Sequence, residues 1–294
     1  MKIFKEVVII NNNNNNIAKV KTRITKSIIW MIMILFAIVQ FFPLVWVINF
    51  SLTKDSQVFA SNILVMPKPP QWGNYALAWI NGAILKNTLN SLMVVTVTIV
   101  LTVLISLTLG YGFTRMRWKL SQTTLTIVLL GMMIPIHTTL LPNFLIFQKA
   151  GILDTSLALI IPYVAFSIPL GVFIMTGFMY SIPVALEEAA VMDGCGVMRI
   201  IFQIVFPITK AATATICVMT FINNWNEFIM AATFLSSSKW KTLPFSVYEF
   251  AGQYVSRYAV QFAVMVLSAL PALIVYAFLN EQITKGVTFG AVKG

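Results

Sequence analysis

The sequence predicts an all-α integral membrane protein with six transmembrane helices, and its composition and the length of its apolar runs both indicate this class. Of its 294 residues, 59% are apolar and 10% are charged, whereas soluble domains average about 45–50% and about 25%. The mean hydropathy is +0.86. Six runs are each long enough to cross the roughly 30 Å hydrocarbon core of a bilayer as a helix. The simplest organisation is therefore a single membrane domain.

The six apolar runs follow one another along most of the chain. They cover residues 28–50, 89–113, 125–147, 157–180, 208–235 and 259–279. Several contain proline, which membrane helices tolerate when neighbouring helices or water bond the freed backbone groups. We therefore expect a helix bundle with an interior at residues 28–281, preceded by an N-terminal arm at 1–27 and followed by a C-terminal tail at 282–294.

The basic residues lie mainly at the ends of the apolar runs, where they indicate the orientation of the chain. In a six-span topology the arm, the loop after the second run, the loop after the fourth run and the tail share one side. Because lysine and arginine favour the cytoplasmic side, we expect both termini and these two loops in the cytoplasm. The net charge of +11 does not indicate nucleic acid, because no basic patch is interleaved with aromatic residues. The low-complexity tract Asn11–Asn16 predicts disorder in the arm.

A short charged island at residues 187–196 follows the fourth apolar run, and a more apolar segment at 197–207 leads from it to the fifth run. Its acidic residues Glu187, Glu188 and Asp193 stand beside small and apolar side chains, and the glycines of Gly194–Gly196 permit a sharp bend. Apolar residues then recur at helical spacing. The pattern predicts two short helices, joined at these glycines, near the membrane surface. From the residues alone, an amphipathic interfacial hairpin without a partner explains the island equally well.

The island and the segment after it together resemble the Glu-Ala-Ala loop of binding-protein-dependent ABC-transporter permeases. In that family the loop forms a coupling helix that docks in a groove of the cytoplasmic ATPase, so the resemblance implies the same role here. Its key coupling positions would be Glu188 and Gly194, and a carboxylate there could make a charge-assisted contact to a basic residue of the ATPase. The residues to which the resemblance assigns this role are Glu187, Glu188, Ala189, Ala190, Asp193, Gly194 and Pro207.

Four further motifs resemble the carbohydrate-uptake subfamily that includes a maltose-importer permease. They lie at 67–75, at Gly151–Thr155, at Trp225–Phe228 and at Gly290–Gly294. This resemblance implies the permease subunit of an ATP-driven importer, which translocates an oligosaccharide or related sugar across the bacterial cytoplasmic membrane. An ABC importer for a non-sugar solute is the nearer alternative, and an ion-coupled secondary transporter is the more distant one.

The same resemblance implies a set of partners for the chain. A second, related permease would complete a heterodimer, two ATPase subunits would dock on the coupling loops, and an extracytoplasmic solute-binding protein would deliver the sugar. The outer loops at 53–86 and 236–257 would receive it. ATP and magnesium would be bound by the ATPase, so no cofactor is expected in this chain.

Polar residues in the fifth run are candidates for the translocation path. They are Asn223, Asn224, Asn226 and Glu227. Because polar groups are costly in lipid, they usually face an interior or a watery path. Hydrogen bonds to sugar hydroxyls are as consistent with the pattern as the alternatives, which are hydrogen bonds between helices or a site that faces a partner. We interpret His137, the single histidine, as an interior group that is hydrogen-bonded within the bundle.

The motifs that would indicate an enzyme or a metal site do not occur in the sequence. No Gly-Lys dipeptide is present, so there is no Walker A loop to cradle phosphates. The single histidine gives no support for a Ser-His-Asp triad. Cys195 and Cys217 are the two cysteines, and we expect both to be free, because one lies in the charged island and the other inside an apolar run. We therefore expect ATP hydrolysis on a separate subunit and no metal in this chain.

Overall fold

The structure is a computed structural model that describes the backbone of residues 2–58, 67–251 and 257–291. It describes side chains from residue 22 to residue 278, with the same internal gaps. All regular secondary structure in this described part is helical, which confirms the all-α fold class.

The α-helices are labelled α1 to α13 in chain order, and shorter helices of other types join several of them. The α-helices are α1 Lys2–Ser51, α2 Gly73–Asn81, α3 Ile84–Thr114, α4 Ser121–Leu130, α5 Leu140–Ala150, α6 Leu157–Met179, α7 Ala185–Met192, α8 Val197–Arg199, α9 Phe206–Ile208, α10 Lys210–Trp225, α11 Ile229–Phe234, α12 Phe245–Tyr248 and α13 Tyr258–Ala291. The others are the 3₁₀ helices Asp55–Gln57, Gly131–Met133 and Ile136–Thr139 and the π-helix Ile200–Val205.

Four helices of the described part are each long and apolar enough to cross a membrane. They are the Thr22–Ser51 part of α1, all of α3, all of α6 and the Tyr258–Phe278 part of α13. They correspond to the first, second, fourth and sixth predicted spans. Two strongly bent pairs of segments raise the number to six if each pair is one span. The side of the membrane on which the termini lie stays a prediction.

The third predicted span is not a straight helix. Its halves, Ser121–Met133 and Ile136–Ala150, meet at an angle of 94°. Proline has no backbone N–H and disfavours a helical conformation in the residue before it; accordingly, Ile134 and Pro135 are both extended. His137 follows this bend and is exposed, so its predicted interior position is wrong.

The fifth predicted span, 208–235, is also interrupted. The segment Val197–Ile208 meets α10 at 80°, and α10 ends at Trp225. After a break, α11 begins because the carboxylate of Glu227 accepts hydrogen bonds from the N–H groups of the first turn of this new helix. Hydropathy does not register such a capping interaction, so the sequence predicted one continuous run.

Both ends of the chain continue the outer spans as helix. The backbone of α1 is helical from Lys2 and therefore through the Asn11–Asn16 tract, where the sequence predicted disorder. Once a helix is nucleated, each added residue forms one hydrogen bond at little further cost. No break in α1 or α13 marks the proposed limits at residues 27 and 281, so these limits stay predictions. The last residues of the Gly290–Gly294 motif lie outside the described part.

The close contact between α3 and α6 forms the centre of the bundle, and α10 packs against both helices. Two glycines allow the close approach of α3 and α6. A Cβ atom on Gly171 would lie 2.2 Å from Oγ of Ser106, and one on Gly110 would lie 2.9 Å from Cγ of Met175. The helix α13 packs against α10 and α1, which gives the predicted bundle with an interior.

Side-chain contacts show that the loops lie at two opposite ends of the bundle. At one end, which we call the α7 end, the ion pair between Arg115 and Glu187 joins the segment after α3 to the segment after α6. At the opposite end, the amide of Asn90 donates to the backbone carbonyls of Lys239 and Lys241. This arrangement agrees with the alternating sides that the six-span prediction requires.

Asp154 fastens two loops together at the opposite end. Its Oδ1 accepts hydrogen bonds of 2.9 Å from the N–H groups of Ser237 and Ser236. These bonds, above all the one from Ser237, hold the pKa of Asp154 below its ordinary value. A carboxyl group with a lowered folded pKa stabilises the fold above its unfolded pKa, and this contribution is lost as the pH falls through the folded pKa.

We therefore expect hydrogen exchange at residues 235–238, relative to the intrinsic rate, to rise as the pH falls below about 4. Asp154→Ala should show the raised exchange already at neutral pH. Asp154→Asn is the matched control, because asparagine keeps an acceptor oxygen and tolerates the positive φ of 59° at this position. It should protect the loop in part and without the acid transition. Equal protection of these residues in the wild type and in both variants, at neutral pH and below a pH of about 4, would contradict this account.

Candidate functional site

The predicted pair of short helices is present at the α7 end. The first is α7 and the second is the segment Val197–Ile208. Gly194, with φ of +83°, terminates α7 in a left-handed turn that glycine adopts without strain. Its N–H donates to Val191 O, and the next N–H, of Cys195, donates to Ala190 O, both at 2.9 Å. This is the Schellman pattern of hydrogen bonds, which explains the need for glycine here.

The adjacent glutamates of α7 lie on different faces of the helix. Successive residues of an α-helix are rotated by about 100°, so Glu188 is exposed while Glu187 is only 6% exposed. Oε1 of Glu187 accepts a hydrogen bond of 2.7 Å from Nε of Arg115, and Tyr111 faces the same carboxylate. The Glu187 carboxylate is thus bonded within the chain and holds α7 on the bundle, and its predicted part in coupling to the ATPase stays a prediction.

The outward face of α7 combines carboxylates with apolar side chains. Met192 is the most exposed of its large apolar side chains, at 87%. Gly194 and Pro207 are exposed as well, whereas Ala190 is buried and packs with the core between α3 and α6. Exposed apolar surface that carries charged groups is typical of a docking site. We call the following residues the α7 surface: Leu186, Glu188, Ala189, Val191, Met192 and Asp193.

A narrow cleft runs between α6 and α10. Ser167, Thr220 and Asn223 place polar side chains along it. Hydroxyl and amide groups can both donate and accept hydrogen bonds, as a polyhydroxylated solute requires. The sequence prediction included Asn223 but missed Ser167 and Thr220, because small hydroxyl residues hardly lower the hydropathy of an apolar run. The other residues that line the cleft are Phe166, Leu170, Gly171, Ile174, Ile216 and Met219.

Asn224 does not lie on this cleft. It is buried, and its Nδ2 donates to Thr220 O of its own helix at 2.7 Å. Asn226 is exposed and borders a second cleft, between the end of α10 and α13. Of these two path candidates, only Asn226 therefore faces open space.

Glu227 has a structural role in the described part of the chain. The hydroxyl of Tyr163 on α6 donates to its Oε2 at 2.6 Å, and the N–H groups of Met230 and Ala231 donate to the same carboxylate. Three donors thus satisfy this group within the protein. The structure supports the inter-helix bonding alternative for Glu227 rather than a place on the path.

Sequence reasoning overlooked the role of Arg115. It counted this residue only among the basic residues that indicate orientation, yet its guanidinium is the partner of Glu187. The helical spacing of Glu187 and Ala190 places both residues on one face of α7. This spacing could have indicated that Glu187 faces the bundle and needs a basic partner there. Cys195 and Cys217 are both free. Within the described residues, no group of histidine, cysteine and carboxylate side chains has a geometry suited to a metal ion.

Two known permease proteins are similar to this chain in sequence. The chain is 30% identical over 253 residues to the sulfoquinovosyl glycerol transport system permease protein SmoH of Agrobacterium fabrum, covering 86% of this chain and 89% of SmoH. It is 29% identical over 264 residues to the diacetylchitobiose uptake system permease protein NgcG of Streptomyces coelicolor, covering 89% of this chain and 87% of NgcG.

A solved structure shares the fold. It is a chain of a bacterial ABC transporter involved in the import of the acidic polysaccharide alginate, with a TM-score of 0.76 at 22% identity, and the match covers 89% of this chain and 97% of that one. Residues 99–289 match the family model described as the inner membrane component of binding-protein-dependent transport systems. The chain therefore belongs to the family of binding-protein-dependent transport system inner membrane components.

Proposed function

We propose that the chain is the permease subunit of an ATP-driven importer that carries a carbohydrate across the bacterial cytoplasmic membrane. The observation that carries this proposal is the α7 surface, on which Glu188 faces outward while its neighbour Glu187 anchors the helix. The carbohydrate class is supported by the substrates named for SmoH and NgcG.

The proposal includes partners at both ends of the bundle. Two ATPase subunits bind the α7 surfaces of this chain and of a second, related permease, and they hold the ATP and magnesium. A solute-binding protein delivers the sugar at the opposite end. The excess of basic residues around the α7 end supports a cytoplasmic location for that end and for both termini. This chain then contributes no catalytic residue.

Transport follows from alternating access. A partner shifts the balance between two conformations only by binding them with different affinity. ATP binding closes the ATPases, so the closed ATPases have to bind one conformation of the permease pair more tightly than the other. The coupling residues Glu188, Ala189, Asp193 and Gly194 receive that motion. Asn223 and its hydroxyl neighbours bond the sugar hydroxyls when α6 and α10 move apart, because the cleft between these helices encloses only about 30 Å³ in this conformation.

An ion-coupled secondary transporter is less well supported. It requires a carboxylate that binds and releases a cation within the membrane, and Glu227 was the candidate for that role. Tyr163 and two backbone N–H groups already bond this carboxylate. The free energy needed to break these bonds opposes cation exchange at this site.

Uptake by reconstituted vesicles tests the proposal. The vesicles contain the chain, its partner permease and the ATPase, with ATP and magnesium enclosed on the ATPase side and the binding protein outside. The probes are sulfoquinovosyl glycerol, diacetylchitobiose and an alginate oligosaccharide, with methionine as the non-carbohydrate control. We expect uptake of at least one carbohydrate that requires ATP, and no uptake of methionine.

Two results would overturn the proposal. Uptake of methionine without any carbohydrate would favour an importer of a non-sugar solute. Uptake without ATP, driven by an imposed proton or sodium gradient, would favour a secondary transporter.

A further inference from the structure

Arg115 is the centre of a three-way junction at the α7 end. It stands directly after α3, where its backbone N–H still bonds Tyr111 O. Its Nε donates to Oε1 of Glu187 on α7 at 2.7 Å, and its Nη2 donates to Met179 O and Ile182 O at 2.9 Å each. One guanidinium group therefore joins the end of α3, the end of α6 and the start of α7.

The junction requires the particular geometry of arginine. The last carbonyls of a helix lack partners within the helix and carry a partial negative charge, so a cation at the end of α6 is favourable. A planar guanidinium presents five N–H donors in a fixed fork, whereas a lysine ammonium is a single compact charge on a flexible chain. Lysine could pair with Glu187 or bond the carbonyls, but it could not hold both in the same orientation. The side chains of Arg115 and Glu187 are 9% and 7% exposed, which strengthens their attraction.

The junction lies between the α7 surface and the cleft. Glu187 and Ala190 are the buried residues of α7, and they attach that helix to the bundle. The core that Ala190 joins includes Met175 and Met179 of α6, and α6 in turn lines the cleft. A displacement of the α7 surface therefore reaches the cleft through these two attachments, one apolar and one ionic.

We propose that Arg115 and Glu187 are positioning residues that make α7 move as one body with the ends of α3 and α6. This inference rests on the proposed function, because it assigns the junction the task of transmitting ATPase motion to the cleft. A merely structural ion pair would set the amount of folded chain without changing the amount of sugar moved per ATP. The ratio of uptake to hydrolysis therefore distinguishes the two roles.

Two conservative variants test the junction in the reconstituted complex. Glu187→Gln keeps the shape and one acceptor oxygen of the side chain but removes its charge. Arg115→Lys keeps the charge but removes the forked set of donors. Either variant can be measured if the other folds poorly. Arg117→Lys, at an exposed arginine two residues further on, is the matched control. We expect both junction variants to retain the ATPase and to hydrolyse ATP, with uptake per ATP lowered about tenfold, within the usual range of coupling between sites. The control should match the wild type.

Two outcomes would overturn the inference while leaving the proposed function standing. In the first, uptake per ATP is unchanged in both junction variants. In the second, ATPase retention and uptake fall together, which means that the pair only folds the loop. Failure of the proposed function is distinguishable, because it appears as an absence of ATP-dependent uptake in the wild-type complex.

Discussion

Glu188→Lys is expected to abolish retention of the ATPase by the solubilised chain. The side chain is exposed on the α7 surface and is separate from the internal pair of Arg115 and Glu187, so its replacement leaves the junction intact. In the proposed complex, the change turns an attractive charge contact with the ATPase into a repulsive one. Loss of a buried, bonded charge at a protein interface costs about 2–5 kcal/mol, which corresponds to at least a roughly 30-fold weaker affinity.

Titration of the ATPase onto the detergent-solubilised chain measures this effect. Glu249→Lys is the matched control, since it makes the same charge change at an exposed glutamate that pairs with Lys241 at the opposite end. The control should bind the ATPase as the wild type does. If the two variants bind the ATPase equally well, Glu188 has no part in docking.

Gly171→Val is expected to prevent accumulation of the folded chain. A Cβ atom at this position would meet Oγ of Ser106 at 2.2 Å, Cβ of Ser106 at 3.1 Å and Cγ2 of Thr102 at 3.4 Å. Rotation of the Ser106 side chain can move its hydroxyl away, but its Cβ atom stays at 3.1 Å and the two methyl groups of valine need further room, so α3 and α6 have to separate along the centre of the bundle. Overpacking in a close-packed core costs about 1–3 kcal/mol or more, and this site combines a severe overlap with a stiff, branched side chain.

The control for this effect is Gly177→Val in the same helix. A Cβ atom on Gly177 meets nothing within 4 Å, and the two substitutions carry the same change in intrinsic helix propensity. The yield of monodisperse protein and its melting temperature in detergent measure the difference. Comparable yields and melting temperatures for the two variants would mean that close contact at Gly171 is not needed for the fold.

Hydropathy predicted the spans that are single helices, because burial in lipid depends on little beyond length and apolar character. It failed where local backbone chemistry interrupts an apolar run. The proline at 135 was visible in the sequence and could have predicted the bend of the third span. The break after Trp225 was harder to foresee, because Glu227 looked like a path residue until its bonds to α11 and Tyr163 were known.

The loop that contains α7 was predictable in its two helices and in its glycine turn, but not in the environments of its acidic residues. Glu187 and Glu188 are chemically identical in the sequence. Their difference depends on Arg115, which lies 72 residues before Glu187 and approaches it only because α3 and α6 pack together. Likewise, Asn223 and Asn224 are identical side chains on different sides of α10. The side of Asn223 lines the cleft, and the side of Asn224 is buried.

Site-specific photocrosslinking tests most directly the central claim that the α7 surface docks the ATPase. A photoreactive residue replaces Met192, the most exposed large apolar side chain of that surface, in the assembled complex. The control carries the same residue in place of Ile80 of α2, which is 74% exposed outside the α7 surface. The account predicts a covalent adduct between the chain and the ATPase from position 192 and none from position 80. The absence of an adduct from position 192, or equal adducts from both positions, would contradict it.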